Sequence, residues 1–529
     1  MIEDIVSEIL SSLPTRISDV VTQWAERTPG HPALVESSGT WTYRQLAESV
    51  AEAKVWLGHC GIRPGDRVMV VSENCRAFVA ILLALSSIDA WPVLVNPVLS
   101  AREIDQIRDH SGSRRAIYIT SVSPHAAQHA KRHGAAVAKI GSLGPLSLGP
   151  LNEDVEPEIL EGDSGNNVAA LIYTSGTTGL PKGVMLSHRN VLFVAAVSAK
   201  IRSLSPDDRF FSVLPMTHAV GLSVVLLGTL FSGATLYLSS RFDPVATVAT
   251  LKTDHVTVML GAPAMFSLLL RYVRSKGIRS FEVPSLRIIA SSSAPLDPEL
   301  KKDVESFFGM VLHNGYGATE CSPTIAQTRV ESPRTDTAVG RVFPGVQVKL
   351  AGPDRQPVIE GEIGEVWVRG PNVMRGYYRA PEETASAIDA EGWFNTRDLA
   401  RLEGENLFIV GRTKELIIRF GFNVYPVEIE AVLNAHPAVV RSAVIGRSSK
   451  STEGDEEVIA FVQLAPGSSV SSTELSEYAA AYLAPYKRPS QILLVSAMPL
   501  TPTGKIVKDE LAKMALLNSH AASAARTQL

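Results

Sequence analysis

The stretch YTSGTTGLPKG, residues 173–183, packs hydroxyl side chains, three glycines, one proline and one lysine into a single short run. Glycine lets main-chain N–H groups converge on a guest, and serine and threonine add hydroxyl donors. The guest that suits such a loop is an anion, most often a phosphate. The run is not a Walker A loop, in which glycine directly precedes lysine and a hydroxyl residue follows. Here Leu180 and Pro181 separate Gly179 from Lys182, and Gly183 comes next. Pro181 has no N–H to give. The donors are therefore expected upstream, at Thr174, Ser175, Gly176, Thr177, Thr178 and Gly179, with Lys182 adding charge. A flexible Gly/Thr turn is the plain alternative.

Four further stretches carry residues able to do chemistry. GYGATE (315–320) sets Tyr316 between Gly315 and Gly317 and ends on Glu320. GWFNTRDLA (392–400) contains Asp398, and GRTKELIIRFGFNVYPVEIE (411–430) contains Arg412, Lys414 and Gly421. PLTPTGKIVKDEL (499–511) presents Lys505 beside Pro502 and Gly504. Each is modest alone. The ordered set of five, spanning residues 173 to 511, resembles the adenylate-forming superfamily of acyl- and aryl-CoA synthetases, peptide-synthetase adenylation domains and beetle luciferases. The resemblance implies an α/β fold. A large N-terminal domain of packed, mostly parallel sheets with covering helices would precede a small mobile α+β domain. It also implies an AMP-forming acid–thiol ligase that uses ATP, Mg2+ and coenzyme A.

The chemistry explains the residue types. A carboxylate is a poor electrophile, and transfer of AMP from ATP turns one of its oxygens into a good leaving group. Attack on the α-phosphate crowds negative charge, so donors and a cation must be in place beforehand. The resemblance implies that residues 174–179 cradle the β- and γ-phosphates. Glu320 would hold Mg2+, with Thr174 as a second ligand; phosphates and water complete a magnesium shell. Asn314, Gly315, Tyr316, Gly317 and Thr319 would line the nucleotide, Tyr316 offering a flat face to adenine and the two glycines leaving room beside it. Asp398 would accept both ribose hydroxyls, although a helix N-cap is the bland reading of that turn-like stretch. Arg412 would add a donor to ribose or phosphate. Lys505 would bear on the carboxylate and α-phosphate. Lys414 would be the pivot of the small domain, and Gly421 would leave a channel for the pantetheine arm. Two departures stand out. Ile418 replaces a lysine common in aryl- and coumaroyl-type ligases, so that side chain's help in thiolation is either absent or supplied elsewhere, as by Arg419, and Phe420 adds bulk where many fatty-acyl relatives have glycine.

The acyl pocket is implied to lie among residues 215–223, 260–267, 290–296 and 315–324, with His218 at its gate. Apart from Glu320 these segments contain no Asp, Glu, Lys or Arg. A second carboxylate or an ammonium group would need a buried counter-charge, which disfavours dicarboxylates and amino acids. A monocarboxylic acid with a fatty chain or an aromatic ring is expected. Gly221, Gly261, Ala262 and Ala264 leave room for either, and ELIIRFGFNVYPVEIE leans toward fatty-acyl relatives. A stand-alone ligase that loads an acyl carrier protein, and a nucleotide-binding homologue without catalysis, are the alternatives.

The elements that must position these residues follow from the patterning. The length of 529 residues allows about three or four domain-sized units. Between residues 16 and about 410, short β-branched runs such as DRVMVVS (66–72) and HVTVMLGAP (255–263) alternate with helical patterns, as parallel sheets with covering helices require. The texture changes near 411. An N-terminal domain over 1–410, a hinge at 411–414 and a C-terminal domain over 415–529 are expected, with a frayed tail after about residue 515. A formal net charge of -4 gives no reason to expect a nucleic-acid partner. Three scattered cysteines, no signal-peptide layout and no clean apolar run of membrane length suggest a cytoplasmic protein. His125, His129 and His133 share a helical face with no carboxylate near in sequence, and a solvated face is expected.

Overall fold

The computed structural model describes residues 2–175, 181–419, 422–448, 456–501 and 504–515. Its architecture is α/β, and it divides into two compact units. The first comprises Met1–Leu296, Asp303–Val348 and Val368–Asn395; the second comprises Asp297–Lys302, Lys349–Trp367 and Thr396–Leu529.

The first unit holds a nine-stranded and an eight-stranded sheet. In the eight-stranded sheet, Arg67–Val71 lies parallel between Trp91–Val95 and Arg115–Tyr118. Every residue of Arg67–Val71 and Trp91–Val95 is buried, because helices cover both faces of such a sheet. That burial explains the long apolar run after residue 76. It divides into the 11-residue helix Arg76–Ser86, buried from Ala77 to Ser86, and the strand Trp91–Val95. Among the described residues no helix is long and apolar enough to cross a membrane. In the nine-stranded sheet, Arg209–Ser212, Val258–Gly261, Ile288–Ser291 and Leu312–Gly317 are consecutive parallel neighbours.

The second unit contains most of a four-stranded sheet, ordered Gln347–Ala351, Gly364–Arg369, Phe394–Glu403, Asn406–Arg412, and a three-stranded sheet of Val439–Ser448, Glu456–Leu464 and Gln491–Val495. The three-stranded sheet is buried on both faces, as the period of two demands. Val444, Val458, Ala460 and Val462 pack with Ile429 and Leu433 of the helix Pro426–Asn434, whereas Ala443, Ile445, Ile459 and Phe461 pack with Met498 and Leu511. Of the residues expected to form a hinge, Gly411 and Arg412 end the strand Asn406–Arg412, and Thr413 and Lys414 lie in the 3-10 turn Thr413–Glu415.

The histidine helix corrects one expectation. His129 is buried with Nε2 at 3.1 Å from the Pro97 carbonyl, and His133 meets Tyr118 and, at 2.8 Å, Asp105. The carboxylate absent nearby in sequence is supplied by a neighbouring helix. Burial lowers the pKa of both rings, so this is a packed face and not a solvated one.

Candidate active site

The opening motif forms a β-hairpin. Val168–Ser175 pairs antiparallel with Pro181–Ser187, which sets Thr174 opposite Lys182 and Ser175 opposite Pro181. Pro181 opens its strand, a position where a missing N–H is tolerated. Gly176, Thr177, Thr178 and Gly179 lie outside the described residues. Pro181–Ser187 is paired on both edges, since Gly376–Tyr377 joins its other side with Tyr377 opposite Val184. At the hairpin base, the Tyr173 hydroxyl meets His110 Nδ1 at 2.8 Å. A Cβ on Gly183 would stand 3.1 Å from Cζ of the Tyr173 ring, so the motif's last glycine answers to packing.

This pairing brings together groups far apart in sequence. Lys182 Nζ lies 5.1 Å from the centroid of the Tyr377 ring, and the Tyr377 hydroxyl donates to Glu320 Oε1 at 3.0 Å. Glu320 sits in the 3-10 turn Thr319–Cys321, and its carbonyl accepts from the Met374 amide at 2.7 Å. Two side chains missed in the sequence make the arrangement. One is Tyr377. The other is Asn190, whose amide nitrogen donates to the carbonyls of Pro371 (2.7 Å) and Val373 (2.9 Å) while its oxygen accepts from Ser187 N. The doubled tyrosine of RGYY was the available signal: in a strand, neighbours face opposite ways. Tyr378 accordingly turns to Glu158, Trp91 and His110.

Asn314, Gly315, Tyr316 and Gly317 lie on the strand Leu312–Gly317, with Tyr316 half-buried. The Asn314 amide is engaged inside the protein: its oxygen accepts from Gly315 N at 3.0 Å and its nitrogen donates to the Thr337 carbonyl at 3.1 Å. A Cβ on Gly317 would stand 1.9 Å from the Pro323 carbonyl oxygen, whereas one on Gly315 would find ordinary contacts at 3.7 Å. Gly317 therefore makes room for the protein's own backbone, and only Gly315 leaves space beside Tyr316.

The four segments expected to build an acyl pocket begin at or follow the carboxyl ends of the four parallel neighbours, where open α/β sheets bind ligands. Asn74, unnoticed in the sequence, fixes the first. Its amide donates to the Leu214 carbonyl at 3.0 Å and accepts from Met216 N at 2.8 Å. His218 follows, its amide donating to the Pro215 carbonyl at 3.0 Å, and the π-helix Val220–Leu227 starts directly after. π-Helical turns are rare and recur at functional sites. A Cβ on Gly221 would meet the Pro215 carbonyl oxygen at 2.1 Å, so its small size opens no room for substrate.

In the second unit, Asp398 stands opposite Arg412 across two strands, which removes the helix-cap reading. Its carboxylate is 8% exposed and accepts from Arg412 Nε at 2.9 Å, with the arginine 53% exposed. Thr413 Oγ1 donates to Glu365 Oε1 at 2.6 Å, and Lys414 is exposed. Arg419 donates to the carbonyls of Tyr486 and Arg488. Gly421 and Phe420 lie outside the described residues. Lys505 is exposed on a turn closed by Thr501 N to the Lys505 carbonyl (2.7 Å) and Lys505 N to Thr501 Oγ1 (3.0 Å). Gly504, at φ +83°, takes the left-handed position that a side chain would resist.

Among the described residues no group of three or more His, Cys, Asp or Glu could hold a metal. Glu320 offers a single carboxylate, and a cation that keeps water and takes phosphate oxygens, the habit of Mg2+, needs few protein ligands.

The profile of the AMP-binding enzyme family matches residues 21–378, and that of the AMP-binding enzyme C-terminal domain matches 428–505. The chain is 35% identical over 491 residues to a feruloyl-CoA synthase of Amycolatopsis sp, covering 92% of this chain and 96% of the relative. It is 31% identical over 510 residues to 4-coumarate–CoA ligase of Pinus taeda, covering 93% and 92%. The crystal structure of ATP-bound MatB from Rhodopseudomonas palustris matches with a TM-score of 0.81 at 27% identity, covering 94% of this chain and 98% of that one.

Proposed function

The chain belongs to the AMP-binding enzyme family and is an ATP-dependent acid–CoA ligase working through an acyl-adenylate; from that premise we propose that its acid is aromatic. Two observations support the reading. The four segments at the carboxyl edge of the parallel strands carry no charged side chain but Glu320. The relatives named above are feruloyl- and coumarate-CoA ligases. The segment that leaned toward fatty acids, 411–430, belongs to the second unit and not to those strands.

In the first half-reaction, a carboxylate oxygen forms a bond to the α-phosphorus of ATP while the bond to the β-phosphate oxygen breaks and pyrophosphate leaves. In the second, the CoA sulfur attacks the carbonyl carbon and AMP leaves. We assign Thr174 and Lys182 to the phosphates, Tyr316 to adenine and Asp398, with Arg412, to ribose. Glu320 would hold Mg2+, which supplies positive charge to the phosphate oxygens when bound. Tyr377 fixes the Glu320 carboxylate and faces Lys182, so both charges are oriented before reaction. Lys505 would neutralise charge between carboxylate and α-phosphate, and Lys414 would be the pivot that presents or withdraws it. The proposed division is a domain over 1–410, a hinge at 411–414 and a mobile domain over 415–529, with a reducing cytoplasm as the location. The absence of disulfides among the described cysteines, all three of which are free, fits that location.

The test is pyrophosphate release over a panel of hydroxycinnamates, benzoates, hexanoate, dodecanoate and malonate. Hydroxycinnamates or benzoates should turn over fastest. Fastest turnover of dodecanoate would remove the aromatic reading, and fastest turnover of malonate would remove the neutral-pocket argument with it.

A further inference from the structure

Lys508 lies three residues beyond Lys505, and the mechanism above gives it no task. Its Nζ stands 2.9 Å from Glu415 Oε2 and 2.8 Å from Glu430 Oε1, with the lysine side chain 20% exposed. The two carboxylates outweigh burial and raise its pKa, so the ammonium stays charged. Glu430 belongs to the helix Pro426–Asn434 and also accepts from Val444 N at 2.8 Å. Glu415 belongs to the turn Thr413–Glu415, where the chain passes from the four-stranded sheet toward the three-stranded one.

The neighbours of Lys414 are thus tied in opposite directions. Thr413 is bonded to Glu365 of the strand Gly364–Arg369, in the four-stranded sheet. Glu415 is bonded to Lys508. The Lys508 segment is in turn fixed to the three-stranded sheet by Leu511, buried against Ala443, Ile459 and Phe461, while Val507 N donates to the Pro499 carbonyl at 2.9 Å across the Lys505 turn. A change of φ and ψ at Lys414 therefore turns Glu415 and everything bonded to it as one body. The turn of Lys505 is part of that body through Lys508.

We propose that Lys508 is a positioning residue that couples the pivot to the catalytic lysine, making Glu415 rotate with the Lys505 turn. The inference rests on the two-step reading above. Without the ammonium, Glu415 and Glu430 are left as neighbouring half-buried carboxylates, the pivot slackens and Lys505 is delivered off target. Misplacement of a reacting group by about 1 Å costs on the order of 10²-fold in rate.

Two readouts test it on the full chain with Lys508→Gln, Glu415→Gln and Glu430→Gln. In pyrophosphate–ATP exchange, Lys508→Gln should lose on the order of 10²-fold in kcat, with the KM for ATP little changed. Glu415→Gln should follow it in a smaller fall. Glu430→Gln cuts the same lysine from a helix and not from the pivot, so it should lower Tm while exchange stays near that of the unsubstituted protein. Equal falls in Glu415→Gln and Glu430→Gln would mean a merely structural ion pair and overturn the proposal. The second readout needs no turnover. Amide hydrogen exchange over residues 416–419 should quicken in Lys508→Gln and Glu415→Gln but not in Glu430→Gln; unchanged exchange in Lys508→Gln overturns the coupling. Absence of pyrophosphate exchange with every acid in the unsubstituted protein would count against the ligase reading, while the amide readout still decides the coupling.

Discussion

The hairpin that carries Lys182 and the turn that carries Lys505 treat a lysine in opposite ways. Lys182 stands on a strand paired along both edges, faces the Tyr377 ring and shares that tyrosine with Glu320. Lys505 stands exposed on a turn where it and Thr501 exchange two hydrogen bonds and Leu500 forms a β-bridge with Ile506. A group that must be oriented before charge develops gains from a rigid sheet, because reorganising it during the reaction would cost free energy. Under the proposed two-step mechanism, a group that comes and goes would gain from a mounting on a body that moves whole.

The largest expected effect tests that contrast directly. Lys505→Ala should slow acyl-adenylate formation by roughly 10²–10³-fold, the usual worth of one transition-state contact. Conversion of supplied acyl-adenylate and CoA should continue near its normal rate. Equal slowing of both steps, assayed separately, would falsify the come-and-go assignment.

Next comes the rigid side. Tyr377→Phe deletes the hydroxyl that donates to Glu320 while keeping the ring over Lys182. A hydrogen bond to a charged group is worth about 1.5–3 kcal/mol, so adenylation should fall by roughly 10- to 150-fold. The magnesium concentration for half-maximal rate should rise. An unchanged magnesium titration would detach Tyr377 from the cation.

The strand of Lys182 leads through Ser187 into His188, the first residue of the helix His188–Ile201. His188 is fully buried, and burial lowers its pKa to about 4. In the unfolded chain it would titrate near 6.5. The folded state therefore keeps its full advantage above about pH 6.5 and loses it as the pH falls toward 4, at about 1.4 kcal/mol per unit. Urea unfolding at pH 7 and pH 5 should differ by about 2 kcal/mol from this group, and His188→Gln should flatten that part of the profile. A pH slope unchanged by the substitution would place the acid sensitivity elsewhere.

The smallest expected effect is none. Cys75 caps the helix Arg76–Ser86 by accepting from Phe78 N, and burial pushes its thiol up to about 11. Cys60 and Cys321 are buried as well. Native protein should keep full activity under iodoacetamide, and rapid inactivation would show that the rigid unit opens more readily than its packing implies.

The strands and the polar residues of the motifs were legible in the sequence because period and composition are local properties, whereas the antiparallel pairing of Val168–Ser175 with Pro181–Ser187 was not. The unseen partners act across the fold. Asn74 reaches Leu214 and Met216, Asn190 reaches Pro371 and Val373, and Tyr377 reaches Glu320. The doubled tyrosine hints that Tyr377 and Tyr378 face different ways, but the sequence names none of these distant partners. Glycines misled for a related reason. A missing side chain signals close approach, but the sequence does not say whether ligand or backbone approaches, and at Gly317 and Gly221 it is backbone.

That distinction bears on how the substrate range of this chain can drift. Any side chain at Gly221 would drive a carbon into the Pro215 carbonyl, which cannot step aside without unseating the turn held by Asn74. Position 221 is closed to variation, whatever acid selection favours. Gly261 is different: an added Cβ would meet the side chain of Phe266 at 3.3 Å and not backbone, a contact that a change at 266 can relieve. Libraries or lineages that retune acid preference should accumulate changes at 261 together with 266, and leave 221 untouched.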